Sequence, residues 1–200
     1  NPFSLGAQSR PEMAIKHFEV IAEATDLPII VFQYPLASGQ GYPLETLLQI
    51  CDVVPSVCAI KDWCNNVQQH ERQIQALQSL TRPVNVLTTH SSWLLSSLVL
   101  GCKGLLSGSG SVIADLQVAL FNAIREGRLD IAKDLNERIR ATADVFYADP
   151  FVDMHNRMKV ALVALGRIPS AAVRPPLVTP DSAEKKRIAD AMTLAGILPE

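Results

Sequence analysis

The chain has 200 residues, 48% of them hydrophobic, 19% charged and 6% aromatic, with a formal net charge of −2. So much apolar side chain excludes a disordered polymer, and 18 Lys+Arg against 20 Asp+Glu leave no basic excess for a phosphate backbone. The apolar stretch from Trp93 to Cys102 is interrupted by Ser96 and Ser97 and ended by Lys103, short of the roughly 18 residues that cross a bilayer.

The chain opens at Asn1-Pro2-Phe3 without an initiator Met or a charged-then-apolar leader, as expected of a segment of a longer polypeptide. Residues 11–25 carry Met13, Ala14, His17, Phe18, Ile21 and Ala22 at helical spacing behind Pro11, a residue suited to a first turn. Ile29-Ile30-Val31-Phe32 is a continuous apolar run rich in β-branched residues, the pattern of a parallel strand buried on both faces. Gly39 and Gly41 break the chain before a helix predicted over 43–53. Strands at 57–60, 84–87 and 104–106 alternate with helices at 67–80, 91–100 and from 112. Four β-then-α units predict a parallel α/β fold. Beyond Gly110 the periodicity is helical only, over 112–125, 128–147, 152–165 and 181–196. Gly127, Asp149-Pro150 and the prolines at 169, 175, 176 and 180 separate these helices.

Cys51, Cys58, Cys64 and Cys102 form no C-x-x-C pair, so metal binding is not expected and reduced thiols in a cytoplasmic protein are.

In parallel α/β folds functional groups gather at the carboxyl ends of the strands. Lys61 directly follows Val57-Cys58-Ala59-Ile60. A lysine held in apolar surroundings loses hydration, its pKa falls, and the free amine can attack a ketone. The plainer reading turns Lys61 to solvent or pairs it with Asp62. Ser107-Gly108-Ser109-Gly110 precedes a helix and offers backbone N–H groups to an anion such as a carboxylate, or is simply a turn. Tyr34 is either a proton shuttle or a packed aromatic. His17 and His70 fall in helices as surface or packing residues, His90 stands at a strand end, and His155 has a structural or interface role. Trp63 and Trp93 are predicted to be packing aromatics.

Three segments carry a resemblance: Leu27 to Pro35 with Gly39, Val57 to Asp62, and Gly104 to Gly108. With Asn156-Arg157-Met158-Lys159, Leu165-Gly166 and Arg174-Pro175-Pro176-Leu177, they resemble the dihydrodipicolinate synthase/N-acetylneuraminate lyase family of pyruvate-dependent class I aldolases. The resemblance runs from Asn1 to Glu200 and matches the C-terminal two-thirds of that family. It implies a (β/α)8 TIM barrel with a C-terminal helical extension. The four strands would be strands five to eight, residues 1–125 the barrel part, and 126–200 a helical region packed on it. Lys61 would be the Schiff-base lysine, and Ser107 and Gly108 would line the keto-acid end.

Two positions depart from the family pattern. Phe32 stands where the family has its proton-relay tyrosine, and Tyr34, two residues on and on the same side of an extended strand, is the expected substitute. Ala37 stands where the dihydrodipicolinate synthases have an arginine, which argues for a different second substrate. The Gly-Thr/Ser-Thr/Ser-Gly-Glu segment that holds the keto-acid carboxylate in the family is not among these residues. The resemblance thus implies a lyase, aldolase, dehydratase or synthase acting on pyruvate or a 2-keto acid. Lys61 and Tyr34 would be catalytic and Phe32, Ser107 and Gly108 substrate-binding. No metal or organic cofactor is expected, no nucleic-acid or membrane partner, and a dimer or tetramer is. A catalytically impaired member that binds a small keto acid or acts through assembly is the alternative.

Overall fold

The computed structural model describes residues 10–89 and 91–198, which leaves His90 outside the described residues. They divide into two compact units. The first unit, residues up to 90 together with Ser96–Leu106, holds a four-stranded sheet in the order β1-β2-β3-β4, all parallel. Its strands are β1 (Ile29–Gln33), β2 (Val57–Asp62), β3 (Asn85–Thr88) and β4 (Gly104–Leu105). The helices α1 (Pro11–Glu23), α2 (Leu44–Val53) and α3 (Val67–Gln78) alternate with them. Val31, Val57, Ile60 and Val86 are fully buried, so β-branched side chains supply the apolar burial that holds this sheet together.

Local signals explain where the helices begin. Pro11 occupies the first turn of α1, where its missing N–H costs nothing. Asn66 caps α3 by accepting from the Gln69 N–H at 2.9 Å. A helix α4 (Leu94–Val99) follows a short 3-10 turn at Ser91–Trp93, so the predicted helix over 91–100 is split.

The second unit, Ser91–Leu95 with residues from Ser107 onward, is helical. It comprises α5 (Gly110–Arg125), α6 (Leu129–Phe146), α7 (Met154–Ala164) and α8 (Ser182–Leu194). Buried Leu116, Leu120, Ile139, Ala143, Phe146, Ala161, Ile188 and Met192 form its core. Arg157, almost fully buried, pairs with Glu184 at 2.6 Å and donates to backbone oxygens of Phe146, Ala148 and Asp149, satisfying carbonyls at the end of α6.

Three strands run past the predicted limits: β1 includes Gln33, β2 includes Lys61 and Asp62, and β3 includes Thr88. Apolar runs mark only the part of a strand that is buried on both sides. The polar residues at its carboxyl end pair just as well in the ladder, here Phe32 with Lys61 and Gln33 with Asp62. Helix α5 starts two residues early, at Gly110, and departs from helical geometry at Ile113.

Candidate active site

The carboxyl ends of β1 and β2 lie side by side, and strand alternation sends successive side chains to opposite faces. The ladder continues one residue beyond β2, where the Trp63 N–H donates to Gln33 O at 2.9 Å. Phe32, Tyr34, Lys61 and Trp63 therefore share one face, and all four are half-buried. Gln33, Asp62 and Cys64 take the other, and all three are buried.

On the first face the Lys61 ammonium sits 4.3 Å from the centroid of the Phe32 ring. Phe32 and Tyr34 have centroids 4.3 Å apart, Tyr34 and Trp63 5.5 Å edge-to-face, and Phe32 and Trp63 6.3 Å. Among the described residues no carboxylate forms an ion pair with Lys61. Burial against this aromatic group holds its pKa below the ordinary lysine value. The alternative in which Asp62 neutralises Lys61 is thereby corrected, because adjacent residues in a strand cannot share a face.

Asp62 instead enters a buried hydrogen-bond network. Its Oδ2 meets His70 Nδ1 at 2.6 Å, its Oδ1 accepts from the Cys64 N–H at 2.7 Å, and His70 Nε2 meets Ser97 Oγ at 2.6 Å. His70 is fully buried, so it is a packing residue rather than a surface one. Ligand atoms of Asp62, Cys64 and His70 lie within 4.8 Å of one another. Both nitrogens of the imidazole are already hydrogen-bonded, and the Cys64 thiol faces Asn66 O at 3.2 Å. Burial, with Asp62 beside it, holds that thiol well above its usual range, which disfavours the thiolate a metal requires. The network fastens β2 to α3 and to Ser97.

Gln33 has a similar role on β1. Its amide accepts from the Tyr42 N–H at 2.8 Å and donates to Tyr42 O at 2.7 Å, clamping the ends of the loop that carries Tyr34. Gly41 permits the closure, since a Cβ there would lie 2.3 Å from Tyr34 O.

Ser107 and Gly108 belong to the second unit. The N–H groups of Gly110, Ser111, Val112 and Ile113 already bond the carbonyls of Ser107, Gly108 and Ser109, so this turn presents hydroxyls in place of those four amides. Ser91 Oγ lies 2.7 Å from Ser107 Oγ, 2.6 Å from Ser109 Oγ and 3.1 Å from Tyr147 OH. Gln117 Nε2 donates to Ser109 Oγ at 2.9 Å. Within the first unit, then, Lys61, Phe32 and Tyr34 are brought together.

Comparison with known proteins bears on what this lysine belongs to. Residues 1–195 match the model of the dihydrodipicolinate synthetase family. The chain belongs to that family. The resemblance stated from the sequence therefore holds, with its lyase and aldolase relatives. One is the protein named "Probable 2-dehydro-3-deoxy-D-pentonate aldolase YjhH" of Escherichia coli K12. It is 25% identical over 184 residues, which cover 92% of this chain and 60% of the relative. The crystal structure of YagE, an E. coli K12 prophage protein of the same family in complex with pyruvate, superposes with a TM-score of 0.83 at 25% identity, covering 94% of this chain and 62% of that one. The dihydrodipicolinate synthase of Thermotoga maritima gives the same TM-score at 22% identity, over 94% and 62% of the two chains. The chain thus spans about three-fifths of the length of these relatives. Among the described residues no helix is long and apolar enough to cross a membrane.

Sequence reasoning missed three contributors: Gln33 as a loop clamp, Trp63 as part of the lysine's surroundings, and the Asp62–His70–Ser97 network. Period-two alternation from Lys61 was signal enough to send Asp62 to the other face. No local pattern marks His70 or Ser97 as its partners.

Proposed function

We propose that the protein is a Schiff-base-forming lyase acting on pyruvate or another 2-keto acid. The observation that carries this reading is Lys61: a half-buried amine at the carboxyl end of β2, with its pKa lowered and its neighbouring carboxylate turned away. The membership of the family supports it, as does the pyruvate bound by YagE.

In this reaction the Lys61 amine adds to the C2 carbonyl of the keto acid and water leaves, giving an imine. The protonated imine draws electrons from C2, so C3 can lose a proton and become an enamine nucleophile. In the synthetic direction C3 bonds to an aldehyde carbon, whose oxygen takes up the electron pair and a proton. Water then hydrolyses the imine and restores the amine. Retro-aldol cleavage is the same path reversed. Tyr34 relays the protons, taking the place of the hydroxyl that Phe32 lacks, while Phe32 packs against the lysine. Ser107 and Gly108 line the keto-acid end. The imine is itself the electron sink, so no metal or organic cofactor takes part.

In the whole protein the four strands serve as strands five to eight of a (β/α)8 barrel. Residues 1–125 belong to the barrel and 126–200 to a C-terminal helical region. The enzyme works in the cytoplasm as a dimer or tetramer. The test is turnover of the full-length polypeptide with a 4-hydroxy-2-keto acid, followed as released pyruvate. Lys61→Arg keeps the charge but removes the amine chemistry, and turnover should fall to the uncatalysed background. Tyr34→Phe should slow proton transfer by roughly 10²-fold or more. Undiminished turnover in the first variant rejects the lyase, and in the second rejects the role of Tyr34.

A further inference from the structure

The helical second unit holds a cleft that the chemistry of Lys61 does not use. A cavity of about 320 Å³ is bordered by α5, α6 and the segments that follow α7 and α8, and its lining includes Val112, Leu116 and Ile197 with Arg138, Arg167 and Asp115. Backbone carbonyls set the two guanidiniums in place. Arg138 Nε donates to Ala195 O at 2.8 Å, which brings the fork over Gly196, where a Cβ would lie 3.2 Å from Arg138 Nη2. Gly196 has a φ of +66°, so the glycine that turns the chain after α8 also makes room for the arginine. Arg167 Nη1 donates to Ser111 O at 3.1 Å and to Val112 O at 3.0 Å, two carbonyls just ahead of Ile113, where α5 departs from helical geometry. Each anchor occupies only part of a five-donor fork, and a carbonyl fixes position without cancelling charge. Among the described residues no carboxylate forms an ion pair with either arginine. Asp115, exposed, lies on the same lining. The cleft thus combines two guanidiniums, one carboxylate and an aliphatic floor.

We propose that this cleft binds a small organic monoanion, a carboxylate on a short aliphatic body, held by Arg138 and Arg167. A guanidinium fork matches the two oxygens of a carboxylate, and forks already pinned by the backbone lose little freedom when the ligand arrives. The aliphatic body displaces water from Val112, Leu116 and Ile197. The volume is at the small end for a ligand pocket, which sets the size of the body. Two positive charges against one negative suit a single ligand charge, and Asp115 opposes a second. Binding is non-covalent and holds or fails independently of the lyase reading.

The probe is 4-methylpentanoate, which has no ketone to react with a lysine. It is titrated into the full-length polypeptide, followed by NMR, and compared with inorganic phosphate. We expect one site per chain with a Kd of about 1 mM or below, the scale for a ligand of so few atoms, and phosphate weaker by roughly fivefold or more. Arg138→Gln and Arg167→Gln keep an amide donor for the backbone carbonyls but remove the charge, and each should weaken binding by roughly tenfold or more. Asp115→Asn, at an exposed position, should tighten it by roughly twofold or more, and it decides the matter where an arginine variant fails to fold. No binding at roughly tenfold the expected Kd, or an affinity that none of the three substitutions moves, overturns the site. Phosphate binding as tightly as 4-methylpentanoate overturns the carboxylate assignment.

Discussion

The two faces at the ends of β1 and β2 are built from alternate residues of the same two strands, yet they follow opposite rules. On the buried face, the carboxylate, imidazole, serine and glutamine groups have hydrogen-bond partners at 2.6–2.8 Å. On the half-buried face a lysine stands among rings without a counter-charge among the described residues. The first arrangement gives stability and position. The second keeps an amine in an environment that disfavours its charge, which is unfavourable for folding and useful for chemistry. Lys61 and Asp62 are covalent neighbours, and the pleat alone divides their roles.

That contrast breaks most visibly at Asp62. Asp62→Ala strands the buried His70 Nδ1 and the Cys64 N–H, and should cost about 3 kcal/mol in chemical denaturation. Lys61→Arg on the other face should change stability by no more than about 0.5 kcal/mol. Equal losses at the two positions would erase the distinction. Gln33→Ala is the smaller blow to the buried face. It unpairs the Tyr42 N–H and carbonyl, and should cost about 2 kcal/mol. A loss well below 0.5 kcal/mol would mean that the loop holds its shape without the clamp.

Much of this architecture was legible in the sequence because buried parallel strands are apolar throughout. Ile29 to Phe32 and Val57 to Ile60 announced themselves, and Lys61 stood out because it broke such a run. The strand ends were less legible, since Gln33 and Asp62 join the ladder through backbone groups that carry no hydrophobic signature. The network around Asp62 was illegible for a different reason. It joins residues 62, 70 and 97, and contacts between distant positions leave no periodic trace in one sequence. The same holds for Ser91, which meets Ser107 and Ser109 across a long stretch of chain. Trp63 looked like packing because a lone tryptophan usually is. Only the register Phe32↔Lys61 and the Trp63–Gln33 backbone bond set it beside Tyr34.

The lowered pKa of Lys61 has a definite sign in both stability and reactivity. Between its depressed value and the ordinary 10.5, the folded protein binds fewer protons at this site than the unfolded chain does. The contribution of Lys61 to stability therefore rises with pH across that window. In the same window the amine is free while an ordinary lysine is still charged.

The most direct test of the central claim is the rate of borohydride trapping of pyruvate as a function of pH, with the adduct located by peptide mapping. The account predicts an adduct on Lys61 and on no other lysine, with the trapping rate rising through a midpoint below 10.5. An adduct elsewhere, no adduct, or a midpoint at the ordinary lysine value would contradict it.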